Sequence, residues 1–220
     1  MNVTFQDVKN SPEIRTYITQ ADASLLALGF TEHSFAHVGK CADVAARILT
    51  ALGYDAREVE LARIAAYMHD IGNVVNRHDH AISGATMAFR ILDNMGMEPS
   101  DVAAVITAIG HHDDSTAFPV NAIAAALILA DKTDVRRSRV RNADITSFDI
   151  HDRVNYAVER SEVLLDLTAK TVTLSLSINT QVCAVMDYFE IFLQRMVLCR
   201  KAAEFFHLRF HLDINGQILL

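Results

Sequence analysis

An apolar run, Ile64-Ala65-Ala66-Tyr67-Met68, ends abruptly in His69-Asp70 and resumes with Ile71-Gly72-Asn73. A carboxylate and an imidazole closing a buried-looking stretch need a strong partner, because an unpaired buried charge is costly. A metal cation is one such partner. Donors of the right type recur on separate segments: His37 upstream, then His80, His111, His112 and Asp131 downstream. Such a set points to a metal centre of one or two ions. Imidazole plus carboxylate suits iron, manganese, zinc or nickel better than calcium, which takes oxygen ligands.

The segments between these donors read as helices. Ser34 to Leu52 places Val38, Ala42, Ala45, Ala46 and Leu49 on one stripe, with Gly53 as the stop. Asp55 caps a second helix running to about Asp70. Ala81 to Met95 forms a third, ended by Gly96. Pro99 opens a fourth reaching His111-His112, and Asn121 caps a fifth through the alanine-rich run to Asp131. The donors therefore fall near helix ends, where packed helices bring side chains into one cavity.

From about Ser161 the pattern changes. Glu162–Leu167 and Thr171–Ser177 read as strands across a short turn, with Val172, Leu174, Leu176 and Ile178 alternating at period two. A helix from about Thr180 to His207 follows, and Asn215-Gly216 marks a hairpin between Leu208–Leu212 and Gln217–Leu220. The expected architecture is mainly α, a helical bundle over residues 1–160 with a small C-terminal α+β unit of β-α-β-β type over 161–220. No catalytic group is assigned to that unit. Its apolar helix, carrying Phe189, Phe192, Phe205 and Phe206, is expected to serve the core or a homodimer contact.

Composition narrows the function. The net charge of −7 argues against a nucleic-acid surface, which is usually basic. Cys41, Cys183 and Cys199 form no CxxC pair, which argues against a disulfide framework. The longest apolar run, Ala122 to Ala130, is too short to span a bilayer, and Met1 to Asn10 lacks the pattern of a signal peptide. A cytoplasmic protein with no membrane partner is expected.

The ordered set His37, His69-Asp70, His80, His111-His112, Asp131 resembles the HD-domain superfamily of metal-dependent phosphohydrolases, over roughly Glu32 to Asp134. His69-Asp-Ile-Gly-Asn73 is similar to the family's HDIG signature. His80-Ala-Ile-Ser-Gly84 and Gly110-His111-His112-Asp113 are similar to elements of members with a second metal, and Ala130–Asp134 to the terminal aspartate motif. The resemblance implies an HD-type helical bundle holding one or two divalent ions, iron or manganese favoured. One ion would be held by His37, His69, Asp70 and Asp131, and a second by bridging Asp70 with His80 and His111. The chain lacks the Gly-Tyr-Pro element of the cyclic-dinucleotide branch and has Asn73 after the HDIG segment where that branch has lysine. Cyclic di-GMP is therefore a poor substrate.

The chemistry implied is cleavage of a phosphate ester or anhydride of a nucleotide or other small phosphorylated molecule by a metal-activated water. Asp70 and Lys132 are expected to carry it. His112, Arg77, Asp134 and Arg136 are expected to support the ligands or bind substrate, Asp134 by orienting Lys132 or His37. The neighbouring Arg137, Arg139 and Arg141 read mainly as a solvated basic run, and Asp113 and Asp114 as loop carboxylates. Two other readings share the donor set: an HD-type di-iron oxygenase, and a ligand-binding or regulatory module that has lost turnover.

Overall fold

The computed structural model describes residues 3–113 and 117–219; Asp114 and Leu220 lie outside the described residues. The chain is mainly helical, with a small C-terminal sheet. Two helices not anticipated from the sequence, α1 (Phe5–Asn10) and α2 (Pro12–Ala27), precede the donor-bearing segments. Thr4 and Asp7 form a reciprocal capping box on α1, and Ser11 with Pro12 starts α2.

The donor helices follow the expected punctuation closely. Ser34 caps α3 (Phe35–Ala51), and Gly53 beyond it takes a positive φ of 80°. The Asp55 carboxylate accepts from the backbone N–H groups of Arg57 and Glu58 at the start of α4 (Ala56–Met68). A 3-10 turn, Ile71–Val74, leads into α5 (His80–Asn94). Pro99 sits in the first turn of α6 (Pro99–Gly110), and Asn121 caps α7 (Ala122–Lys132) through the Ala124 N–H.

Helix α7 is buried from Ile123 through Ala130, hence apolar on every face. It packs against α3, α4 and α6, and against α9 (Val185–Phe205). The helix α8 (Ile150–Ala157) runs directly into β1 (Val158–Asp166). The strand therefore begins before residue 161, and the expected division at 160/161 falls inside it. The cause is a pairing: Val158 is buried and pairs with Ile178, so the sheet recruits the chain as soon as α8 ends.

The sheet has the order β1-β2-β3-β4. β1 and β2 (Thr171–Ile178) form an antiparallel hairpin; β2 runs parallel to β3 (Arg209–Ile214); β3 pairs antiparallel with β4 (Gln217–Ile218). Asn215 and Gly216 both adopt positive φ, the geometry of a tight two-residue hairpin. Helix α9 makes the crossover from β2 to β3. It begins at Val185 rather than near Thr180, because Asn179 turns the chain first, accepting from the N–H groups of Val182 and Cys183. Its Phe192, Met196, Cys199, Ala202 and Ala203 are buried in the chain's own core. One continuous apolar core joins the bundle to the sheet. Among the described residues no helix is long and apolar enough to cross a membrane.

Gly72 marks the tightest backbone crossing. A Cβ there would lie 2.0 Å from the His80 carbonyl oxygen and 2.5 Å from the Gly84 nitrogen. Gly39, inside α3, has nothing within 4 Å of such an atom. Gly72→Ala should therefore cost about 3 kcal/mol or more in urea unfolding, as overpacking against backbone cannot relax cheaply. Gly39→Ala should stabilise by about 0.5–1 kcal/mol. Equal midpoints for the two variants would contradict this packing.

Candidate metal centre

Five elements deliver the donors. His37 lies in the first turn of α3. His69 caps the C-terminus of α4 and Asp70 follows it. His80 is the first residue of α5, His112 follows the end of α6, and Asp131 is in the last turn of α7. His37, His69, Asp70, His80 and His112 are all buried.

The four buried histidines share one orientation. Each directs Nδ1 outward to an oxygen: His37 to Asp134 Oδ2 at 2.8 Å, His69 to the Ala66 carbonyl at 2.7 Å, His80 to the Arg77 carbonyl at 3.1 Å, His112 to the Ile109 carbonyl at 2.6 Å. Donation from Nδ1 leaves Nε2 with its lone pair facing the centre. There His37 Nε2 stands 3.6 Å from Asp70 Oδ2 and 3.4 Å from Asp131 Oδ1. His69 Nε2 stands 3.2 Å from Asp70 Oδ2 and 3.7 Å from Asp131 Oδ1. On the other side, His80 Nε2 lies 3.5 Å from Asp70 Oδ1 and 3.2 Å from His112 Nε2.

These separations fit a cation. Ligands about 2.0–2.2 Å from an ion sit about 3.0–3.5 Å from one another when adjacent. Two signs show that the cluster is built around positive charge. His69 Nε2 is fully buried with no hydrogen-bond partner. The His80 and His112 Nε2 atoms lie 3.2 Å apart, close enough to share one cation. The donor sets overlap: His37, His69 and Asp70 form one group, His69, His112 and Asp131 another, and Asp70, His80 and His112 a third. Asp70 turns one oxygen to each side.

The charges support this arrangement. Burial opposes ionisation of Asp70, yet His69, with His33 and His80, outweighs it and holds the carboxyl well below the usual range. Burial likewise opposes Asp131, where Lys132 and the histidines prevail. Burial depresses His112, with His69 and Lys132 adding to the effect. It also depresses His80, partly offset by Asp70. For His69 the carboxylates Asp70 and Asp131 outweigh burial and draw a proton toward the ring. The 3.2 Å approach to Asp70 nonetheless lacks hydrogen-bond geometry and leaves His69 Nε2 without a partner.

A family model for the HD domain matches residues 34–190. The chain belongs to the HD domain family. No curated protein matches it.

Within this HD domain the structure brings the second histidine of the pair, His112, to the donor groups, where His111 was expected. His111 is half-buried, bonds the Thr107 carbonyl through Nδ1 at 2.9 Å, and joins none of the donor groups. His112 takes the place expected of His111. The end of α6 explains the exchange: after Gly110 the chain leaves helical geometry, and only the second imidazole turns inward.

The supporting residues sort clearly. Asp134, fully enclosed, orients His37 rather than Lys132. It also takes Lys40 at 2.8 Å and Arg136 Nε at 3.0 Å. Burial works against its ionisation, but the His37 hydrogen bond and the charges of His37, Arg139 and Lys40 hold it far below the usual range. Arg136, expected to support the ligands or bind substrate, is clamped between Asp134 and Glu32, on the side of ligand support, and lines neither the metal cleft nor the cavity beside it. Lys132 is buried and pairs with Asp131 Oδ2 at 2.8 Å. Arg77 reaches His80 and Asn73, and Asn73 in turn donates to Asp70 Oδ1 at 2.9 Å.

Sequence reasoning passed over His33, which lines the cleft, and Arg195 of α9, which reaches it from the C-terminal unit. It also placed Arg139 in a solvated run, whereas Arg139 is buried and donates to the Asp134 carbonyl at 2.8 Å. A glutamate carbonyl partner 107 residues away, Glu32, cannot be read from a linear basic run.

Three substitutions separate these roles. His112→Ala should lower metal affinity at least about tenfold, and His111→Ala should leave it unchanged. Asp134→Ala, which frees the His37 ring, should cost about 10–100-fold in metal affinity. Competition with a chromogenic chelator reads all three; a larger loss in His111→Ala than in His112→Ala would contradict the geometry.

Proposed function

We propose that this HD-domain protein is a metal-dependent phosphohydrolase acting on a small phosphorylated molecule. The observation that carries the reading is the position of Asp70. It offers Oδ2 to His37 and His69 and Oδ1 to His80, as a carboxylate bridging two cations would. His37, His69, Asp70 and Asp131 would hold one ion, and Asp70, His80 and His112 a second. Divalent ions bound there would supply an activated water and neutralise charge on the phosphoryl oxygens.

The protein's own groups supply the rest. A narrow cleft of about 20 Å³ over the cluster is lined by Lys132, Arg77, Arg139 and Arg195 as well as by Asp70, His80, His112 and Asp131. Arginine forks match phosphate oxygens, and cations fixed in a dry site stabilise charge that develops in the reaction. Lys132, held by Asp131, places an ammonium beside the ligand shell without room to drift. Asn73 keeps Asp70 from rotating, so both carboxylate oxygens stay aimed at their histidines.

The same donors would serve a di-iron oxygenase, but the four cationic side chains around the cleft favour a phosphate over a neutral polar substrate. The complete ligand set likewise favours turnover over a purely regulatory module. The test is phosphate release from p-nitrophenyl phosphate by the metal-loaded chain. Release should stop on chelation, return with a divalent ion, and fall by about a thousandfold or more in Asp70→Ala, since the substitution removes ligands from both sides. Oxygen uptake without phosphate release would overturn the hydrolase reading in favour of the oxygenase.

A further inference from the structure

The metal cleft does not end at the ligands. Beside it lies a cavity of about 430 Å³, within the range that encloses a small ligand. Four residues, His33, Arg77, Arg139 and Arg195, line both spaces, so the two are neighbours that share these side chains. One wall belongs to the α2–α3 connection, with Leu28 and Phe30. The opposite wall belongs to α8 and α9, with Asp152, Asn155 and Phe192. The cavity therefore lies between the donor-bearing helices and the C-terminal elements.

Its lining is graded. At the metal end, two arginines rest on aromatic rings that also line the cavity. The Arg195 guanidinium sits 4.7 Å over Phe192, and that of Arg77 sits 5.5 Å from the Phe30 ring. Stacking of this kind orients a guanidinium at the metal end of the cavity. Elsewhere the lining is acidic and amidic, with Asp149, Asp152 and the buried Asn155. Burial and the neighbouring Asp149 push the Asp152 carboxyl up, in keeping with a partly enclosed acidic wall.

Resting on the phosphohydrolase reading of the metal centre, we propose that this cavity binds a phosphate monoester whose organic part carries hydrogen-bond donors. Arg195 of the C-terminal unit grips the phosphate where cavity and cleft meet. Leu28, Phe30 and Phe192 cover the organic part, and Asp152 accepts from its hydroxyl or amino groups. The unit after α8 is then part of the substrate site, and Arg195 is a binding residue that the HD ligand motifs do not contain.

Calorimetric titration of the metal-loaded full chain tests this, with two probes: inorganic phosphate, and 4-aminophenylphosphonate as a non-hydrolysable ester analogue bearing a donor. Arg195→Ala should weaken both by about tenfold or more, the scale of one lost charge-assisted hydrogen bond. Arg195→Lys should recover part of that loss, and metal content should be unchanged in both. Asp152→Asn should weaken only the aminophenyl probe. Wild-type affinity for both probes in Arg195→Ala, with metal bound, overturns the pocket assignment and leaves the hydrolase reading standing. Equal loss of both probes in Asp152→Asn overturns the role given to Asp152. A metal-loaded wild type that binds neither probe overturns the hydrolase reading and the pocket with it.

Discussion

Four imidazole lone pairs and two carboxylates meet in a space nearly closed to water, and most of the fold serves to hold them there. Each ring is fixed from behind, three by backbone carbonyls and one by Asp134, so none can turn away to relieve the crowding. Without a cation such a cluster has two imidazole nitrogens crowded at 3.2 Å and a buried nitrogen with no partner. With one, every inward atom is a ligand. Buried polar groups are costly unless satisfied, and a cation at the centre would satisfy these.

The bundle prepares that receptor electrostatically as well. The C-terminal ends of α4, α6 and α7 carry His69, His112 and Asp131 and converge on the cluster. Unsatisfied carbonyls at helix C-termini carry partial negative charge, which favours a cation. The close crossing of the 3-10 turn after Asp70 over the start of α5 brings His80 to the second side of Asp70. Only a glycine at position 72 permits that approach. The apolar helix α7 anchors the assembly from within, packing on the donor helices and on α9 at once.

What the sequence disclosed follows a physical division. Helix limits at Ser34, Asp55, Pro99 and Asn121 were legible because capping is local chemistry between neighbours. The donors were legible because a His-Asp pair closing an apolar run carries a heavy desolvation cost unless a cation meets it. His111 and His112 could not be told apart, since the choice depends on one backbone departure after Gly110. The start of the sheet at Val158 was hidden because its partner, Ile178, is distant in sequence. Arg195 was hidden for the same reason. On a helix with buried apolar residues on several sides, nothing in the linear pattern marks one arginine as facing a cleft built by much earlier segments.

The central claim is that this cluster is a two-ion site divided by Asp70. Elemental mass spectrometry on chain purified without chelator, and again after reconstitution with iron or manganese, measures it directly. The account predicts close to two equivalents of metal per chain, falling to near zero when Asp70 is replaced by alanine. A chain that holds no metal after reconstitution, or an Asp70→Ala variant that keeps both ions, would contradict it.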